Sequence, residues 1–83
     1  MYYIVYNSVT LATGINNKFR YDRDKIAVVH TPAKISSAGC SYSIKTERLQ
    51  KAVEIIDVSK EYGVQIKGFY KQVAEDKFEK IEY

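Results

Sequence analysis

A single thiol, Cys40, ends a run of small residues, Thr31-Pro32-Ala33-Lys34-Ile35-Ser36-Ser37-Ala38-Gly39. A thiol in such a loop can be approached by another molecule, whereas one inside an apolar run is shielded. As a thiolate it is a nucleophile that exchanges with disulfides and persulfides. Nearby residues supply groups that would support this chemistry. His30, the only histidine, is a base or hydrogen-bond partner. Lys34 is a cation, Ser36 and Ser37 carry hydroxyl donors, and Gly39 gives the backbone freedom before the cysteine. Each also has a plain structural reading. A lone Cys is often a small buried hydrophobe. Loop serines commonly bond their own backbone. Lys34 then becomes a solvated loop charge, and His30 a strand-end surface residue.

Other chemistries find little support. One His and one Cys do not close a zinc site without carboxylates or a second subunit, so no metal is expected. Neither GxGxxG nor GxxxxGK[ST] occurs, and no nucleophile-elbow motif supports a serine triad, so no cofactor is expected. One cysteine excludes an internal disulfide framework and a CxxC pair, and it fits a reducing compartment. The net charge is +3, with residues 1–46 at +4 and residues 47–83 at −1. A mildly basic first half suits an acidic partner. It falls short of a nucleic-acid signature, because the eight tyrosines are not interleaved with Lys and Arg along the chain. They read as core and strand residues, and no nucleic acid is expected. The start, Met1-Tyr2-Tyr3-Ile4-Val5-Tyr6, lacks a basic n-region and reads as a strand rather than a signal peptide. No stretch approaches the about 20 apolar residues of a membrane span. The expected location is cytoplasmic.

The elements that must position the thiol follow from residue spacing. Eighty-three residues make one small domain, 1–83, with a core over 1–72 and a C-terminal hairpin or tail over 73–83. Tyr2 to Tyr6 is β-branched and aromatic, as strands are. Ser8 is a candidate N-cap, and Leu11, Ile15 and Phe19 follow at helical spacing with Ala12 beside them. Tyr21-Asp22-Arg23-Asp24 reads as a polar turn. Ile26 to His30 is a second strand, whose near-continuous apolar run predicts burial on both faces. Tyr42 and Ile44 alternate with Ser41, Ser43 and Lys45 in a third strand. Thr46 is positioned to cap a second helix with the stripe Leu49, Ala52, Val53 and Ile56, and Gly63 to end it. Val64, Ile66 and Tyr70 form a fourth strand. The tail pairs as a hairpin through Ala74-Glu75-Asp76-Lys77, with a short helix as the alternative.

The order β-α-β-β-α-β predicts a ferredoxin-like α+β sandwich, an antiparallel sheet with two helices on one face and an extra C-terminal strand. A right-handed β-α-β crossover brings strand 2 back parallel to strand 1. Strand 2 then ends, at His30, on the same side as the start of helix 1 near Ser8. Cys40 is expected there too, across from His30. Thiol pKa values fall beside helix N-termini and cations, so Ser8 and Lys34 join the candidate thiolate-stabilising groups.

Three segments resemble a known family. They are Tyr2-Tyr3-Ile4-Val5-Tyr6-Asn7-Ser8, Thr31 through Ile44 with its single Cys40, and Val64-Gln65-Ile66-Lys67-Gly68-Phe69-Tyr70. Together they are similar to the family described as Putative Se/S carrier protein-like, over roughly residues 1–72. The resemblance implies a sulfur or selenium carrier holding a persulfide or selenosulfide on Cys40. It implies a desulfurase-type pyridoxal-phosphate enzyme as donor and a further protein as acceptor, so a carrier rather than a stand-alone enzyme. An Arg often follows the proline in that family, and Ala33 stands here, which leaves Lys34 as the neighbouring cation. A Gly often follows the Cys, and Ser41 stands here. The alternative function is a regulatory or protein-interaction module without chemistry, dimerising through an exposed edge strand.

Overall fold

The computed structural model describes residues 1–20, 25–36 and 41–82. Strand β1, Tyr2–Tyr6, pairs on both sides and is the most buried, with Ile4, Val5 and Tyr6 at 2% exposure or less. Helix α1, Val9–Asn17, follows, then β2, Ile26–His30, and β3, Tyr42–Thr46. Helix α2, Leu49–Glu61, leads to β4, Ile66–Ala74, and β5, Lys77–Lys80. The sheet order is β2-β3-β1-β4-β5, and every adjacent pair is antiparallel. With β3 between them, β2 runs parallel to β1, as the β-α-β crossover requires. The architecture is the expected ferredoxin-like sandwich, and the tail forms the hairpin β4–β5.

Both helices pack on one face of the sheet. There Ile4, Tyr6, Ile44 and Phe69 meet Ala12, Ile15, Ala52, Ile55 and Ile56 in one apolar cluster. Ser8 caps α1 as its residue type predicts. It is extended, and its Oγ accepts from the Leu11 N–H at 3.2 Å. Gly63 ends α2 at φ 71°, a left-handed conformation that costs glycine little. The Gly63 N–H donates to Lys60 O and the Val64 N–H to Ser59 O, the paired bonds of a Schellman turn.

Four expectations need correction. Strand β2 is not buried on both faces. It lies at the sheet edge with helices on one side only, so Ala27 is exposed and Ile26, Val28 and Val29 are half-buried. In α1 the inward stripe is Ala12, Ile15 and the following Phe19, whereas Leu11 points outward. In α2 the inward face is Ala52, Ile55, Ile56 and Ser59, and Leu49 and Val53 are exposed. Both helices are rotated from the sequence-predicted face, because apolar residues on adjacent flanks leave the rotation to the sheet they meet. Thr46 does not cap α2. It remains in β3, opposite both Tyr2 and Ile26, and Arg48 is the cap residue, without a side-chain cap bond. The turn read at 21–24 lies outside the described residues.

Candidate functional site

One cross-strand row marks the end of the sheet where the chain departs towards Cys40. Tyr6, the last residue of β1, pairs with Tyr42, and Tyr42 pairs with His30, the last residue of β2. The His30 and Tyr42 rings approach with centroids 4.5 Å apart and planes tilted by 36°. His30 therefore lies across from Tyr42, which corrects the pairing with Cys40 expected from sequence. The cause is a ladder without a bulge: the Thr31 N–H donates to Ser41 O at 3.1 Å and makes Thr31 and Ser41 the next rung.

Tyr6 anchors this row to α2. Ser59 Oγ donates to Ile55 O at 2.8 Å, so its single hydrogen is used. The Tyr6 hydroxyl, 2.8 Å from Ser59 Oγ, is then the donor of that pair. Burial pushes the Tyr6 phenol up to about 12. It is a structural hydroxyl, held neutral, and not a base available to the thiol.

Beyond the row, the chain turns sharply. The N–H groups of Ile35 and Ser36 both donate to Pro32 O, at 2.9 and 3.1 Å. Ala33 and Lys34 at the crest of this turn are exposed, and Ser36 is half-buried. Ser8 starts α1 two residues after Tyr6, so the helix begins at the same end of the sheet. Among the described residues, no hydrogen bond or ion pair joins Ser8, His30, Lys34 and Ser36 to one another. Ser37, Gly39 and Cys40 lie outside the described residues.

The sequence reading missed a cluster of buried hydroxyls on the side of the sheet away from the helices. Thr31 Oγ1 and Ser43 Oγ are 2.7 Å apart, and Ser43 is wholly buried. Ser41 is 3% exposed, and its Oγ has no hydrogen-bond partner among the described residues. An unpaired buried hydroxyl costs free energy, about 1–3 kcal/mol. The sequence signal was present but ambiguous. Ser41 and Ser43 alternate with Tyr42 and Ile44, which usually marks a solvent face. The pairing of Ser43 with Thr31, twelve residues earlier in the chain, follows from strand register and is not visible in that alternation.

A five-stranded antiparallel sheet and two helices on one face define a small α+β sandwich, and the chain's one cysteine falls in the connection from β2 to β3. The chain belongs to the family Putative Se/S carrier protein-like, whose model matches residues 1–71. No curated protein and no solved structure matches it. Among the described residues, no helix is long and apolar enough to cross a membrane.

Proposed function

We propose that this protein carries sulfur or selenium on Cys40. The observation that carries the reading is the family match, whose span of residues 1–71 includes the chain's only thiol. The fold is consistent with it. Ser41, the covalent neighbour of Cys40, belongs to the last rung of the β2–β3 ladder, at the end of the sheet where α1 begins. Ser8, Lys34, Ser36 and Ser37 are the polar groups proposed to steady the thiolate, with His30 as a base and Gly39 as the backbone hinge.

The step is thiol exchange. The Cys40 thiolate attacks the outer sulfur of a persulfide on a desulfurase-like donor. A new S–S bond forms on Cys40, the donor's S–S bond breaks, and the electron pair leaves on the donor's cysteine as thiolate. The reverse logic delivers the outer atom to an acceptor protein's nucleophile and regenerates Cys40. The selenium version substitutes an outer selenium atom. The carrier needs no cofactor of its own, and its proposed location is cytoplasmic.

The test is incubation with a cysteine desulfurase and cysteine labelled in its sulfur, followed by non-reducing electrophoresis. Label is expected on the wild-type protein and is expected to be absent from Cys40→Ser. Equal label on both, or none on either, would sink the proposal. A second check is the rate of Cys40 alkylation against pH. A midpoint below the ordinary thiol value of about 8.5 fits a poised thiolate, and one at or above it favours an interaction module without chemistry.

A further inference from the structure

The face of the sheet that the helices leave open carries a pattern the linear sequence does not contain. One cross-strand row runs over four strands. Lys45 on β3 pairs with Tyr3 on β1, Tyr3 with Tyr70 on β4, and Tyr70 with Lys80 on β5. Cations and aromatics that are scattered along the chain thus alternate in space as Lys, Tyr, Tyr, Lys. Tyr3 is the buried floor of this patch, edge-on to Phe78 with ring centroids 5.5 Å apart. Tyr70 and Phe78 are only half-buried. The Tyr70 ring is laid along its own strand over Gly68, where a Cβ would meet its Cε1 at 2.8 Å. Glycine at 68 is what lets the ring lie there.

At the strand positions of this face the charge has one sign. By alternation along the strands, its positions are Ala27 and Val29, Ser43 and Lys45, Tyr3 and Val5, Gly68, Tyr70 and Gln72, and Phe78 and Lys80. None is a carboxylate. Just past the end of β3, Glu47 lines one shallow pocket with Lys45, Ala27 and Val29, and Lys25 borders the same pocket, so the single carboxylate at this margin stands among lysines. Three strand spacings separate Lys45 from Lys80, about 14 Å at about 4.8 Å each. Aromatic surface between two cations suits a strand of bases and phosphates. Bases stack on rings whatever their sequence, while lysines pair with the backbone. An acidic peptide would use the lysines and leave the rings idle, and a duplex keeps its base faces stacked internally.

We propose that this open face binds single-stranded nucleic acid, with bases on Tyr70 and Phe78 and phosphates on Lys45 and Lys80. The inference is independent of the thiol chemistry. It replaces the expectation drawn from linear spacing with one drawn from register.

The test is fluorescence anisotropy with a labelled single-stranded RNA of about ten nucleotides, within the usual span of such sites, at several salt concentrations. The wild type is expected to bind the strand more tightly than a duplex of the same length. Tyr70→Ala is expected to weaken binding about tenfold, and Tyr70→Phe, which keeps the ring, to bind nearly as the wild type does. Joint Lys45→Gln and Lys80→Gln substitution is expected to reduce the slope of log K against log salt by about 1.4, the share of two phosphates. Gly68→Ala displaces the Tyr70 ring without touching the helix-covered core, and it should also weaken binding if Tyr70→Ala fails to fold. No binding at low salt, equal binding of duplex, or unchanged affinity in folded Tyr70→Ala or Gly68→Ala overturns the proposal.

Discussion

The two faces of this sheet bury side chains by different means. On the covered face, Ile4, Tyr6, Ile44 and Phe69 are shielded by two amphipathic helices. On the open face, Tyr3, Val5 and Ser43 are also buried, yet no helix covers them. Contacts on that face include Tyr70 over Gly68, Phe78 edge-on to Tyr3, and Thr31 paired with Ser43. The first face is a conventional core, closed to ligands. The second carries buried hydroxyls at one end and, along the Lys45–Lys80 row, aromatic and cationic side chains that stay partly or fully exposed. The proposed fold logic thus places stability on one face and recognition on the other.

The contrast can be broken most severely on the covered face. Phe69→Ala empties a fully buried site between β4 and the helices and is expected to cost about 3–5 kcal/mol. Equilibrium denaturation should show it as a large drop in midpoint. A cost below about 2 kcal/mol would show that the helices close over the cavity.

On the open face the sharper experiment is Thr31→Val. It leaves the buried Ser43 hydroxyl without its partner at a cost of about 1–3 kcal/mol. Adding Ser43→Ala should recover much of that loss, because replacing both partners is less costly than orphaning one. Denaturation midpoints of the two singles and the double read this directly, and additive losses would remove the pair from the account.

Tyr6→Phe sharpens the comparison through pH. The Tyr6 phenol is raised from the ordinary 10 to about 12 by burial, so the unfolded chain ionises first. The native state then holds the proton more tightly, and stability is lost as pH rises from 10 towards about 12. Tyr6→Phe should cost about 1 kcal/mol at neutral pH, where the bond to Ser59 is lost. It should also flatten the alkaline decline in denaturant stability, and an unchanged slope would assign the decline to other groups. The smallest expected effect is that of Lys45→Gln with Lys80→Gln, within about 0.5 kcal/mol of wild type in the same assay. A larger loss would make these lysines part of the packing and not of a binding surface.

Much of the fold was legible in the chain. Four β-branched or aromatic segments, a capping Ser8, the terminating Gly63 and a turn at Glu75-Asp76 each act over a few residues, and each appears where local chemistry puts it. Less of the site was legible. Ser8 proved to be the cap of α1, and Lys34 and Ser36 stand in a turn governed by Pro32. His30, however, meets Tyr42, a partner that depends on strand register. Leu11, Leu49 and Val53 were misassigned for a related reason. Periodicity says that a helix has an apolar side, but the sheet decides which flank turns inward.

The sequence alone therefore determined the order of elements, the hairpin and the presence of a single cysteine, because these depend on dihedral preference, capping and composition. The tertiary structure decided that β2 is an edge, that Ser41, Ser43 and Thr31 gather as buried hydroxyls, and that Lys45, Tyr3, Tyr70 and Lys80 form one row. Those are properties of register between strands distant in sequence, and a one-residue slip would turn every one of these side chains to the other face.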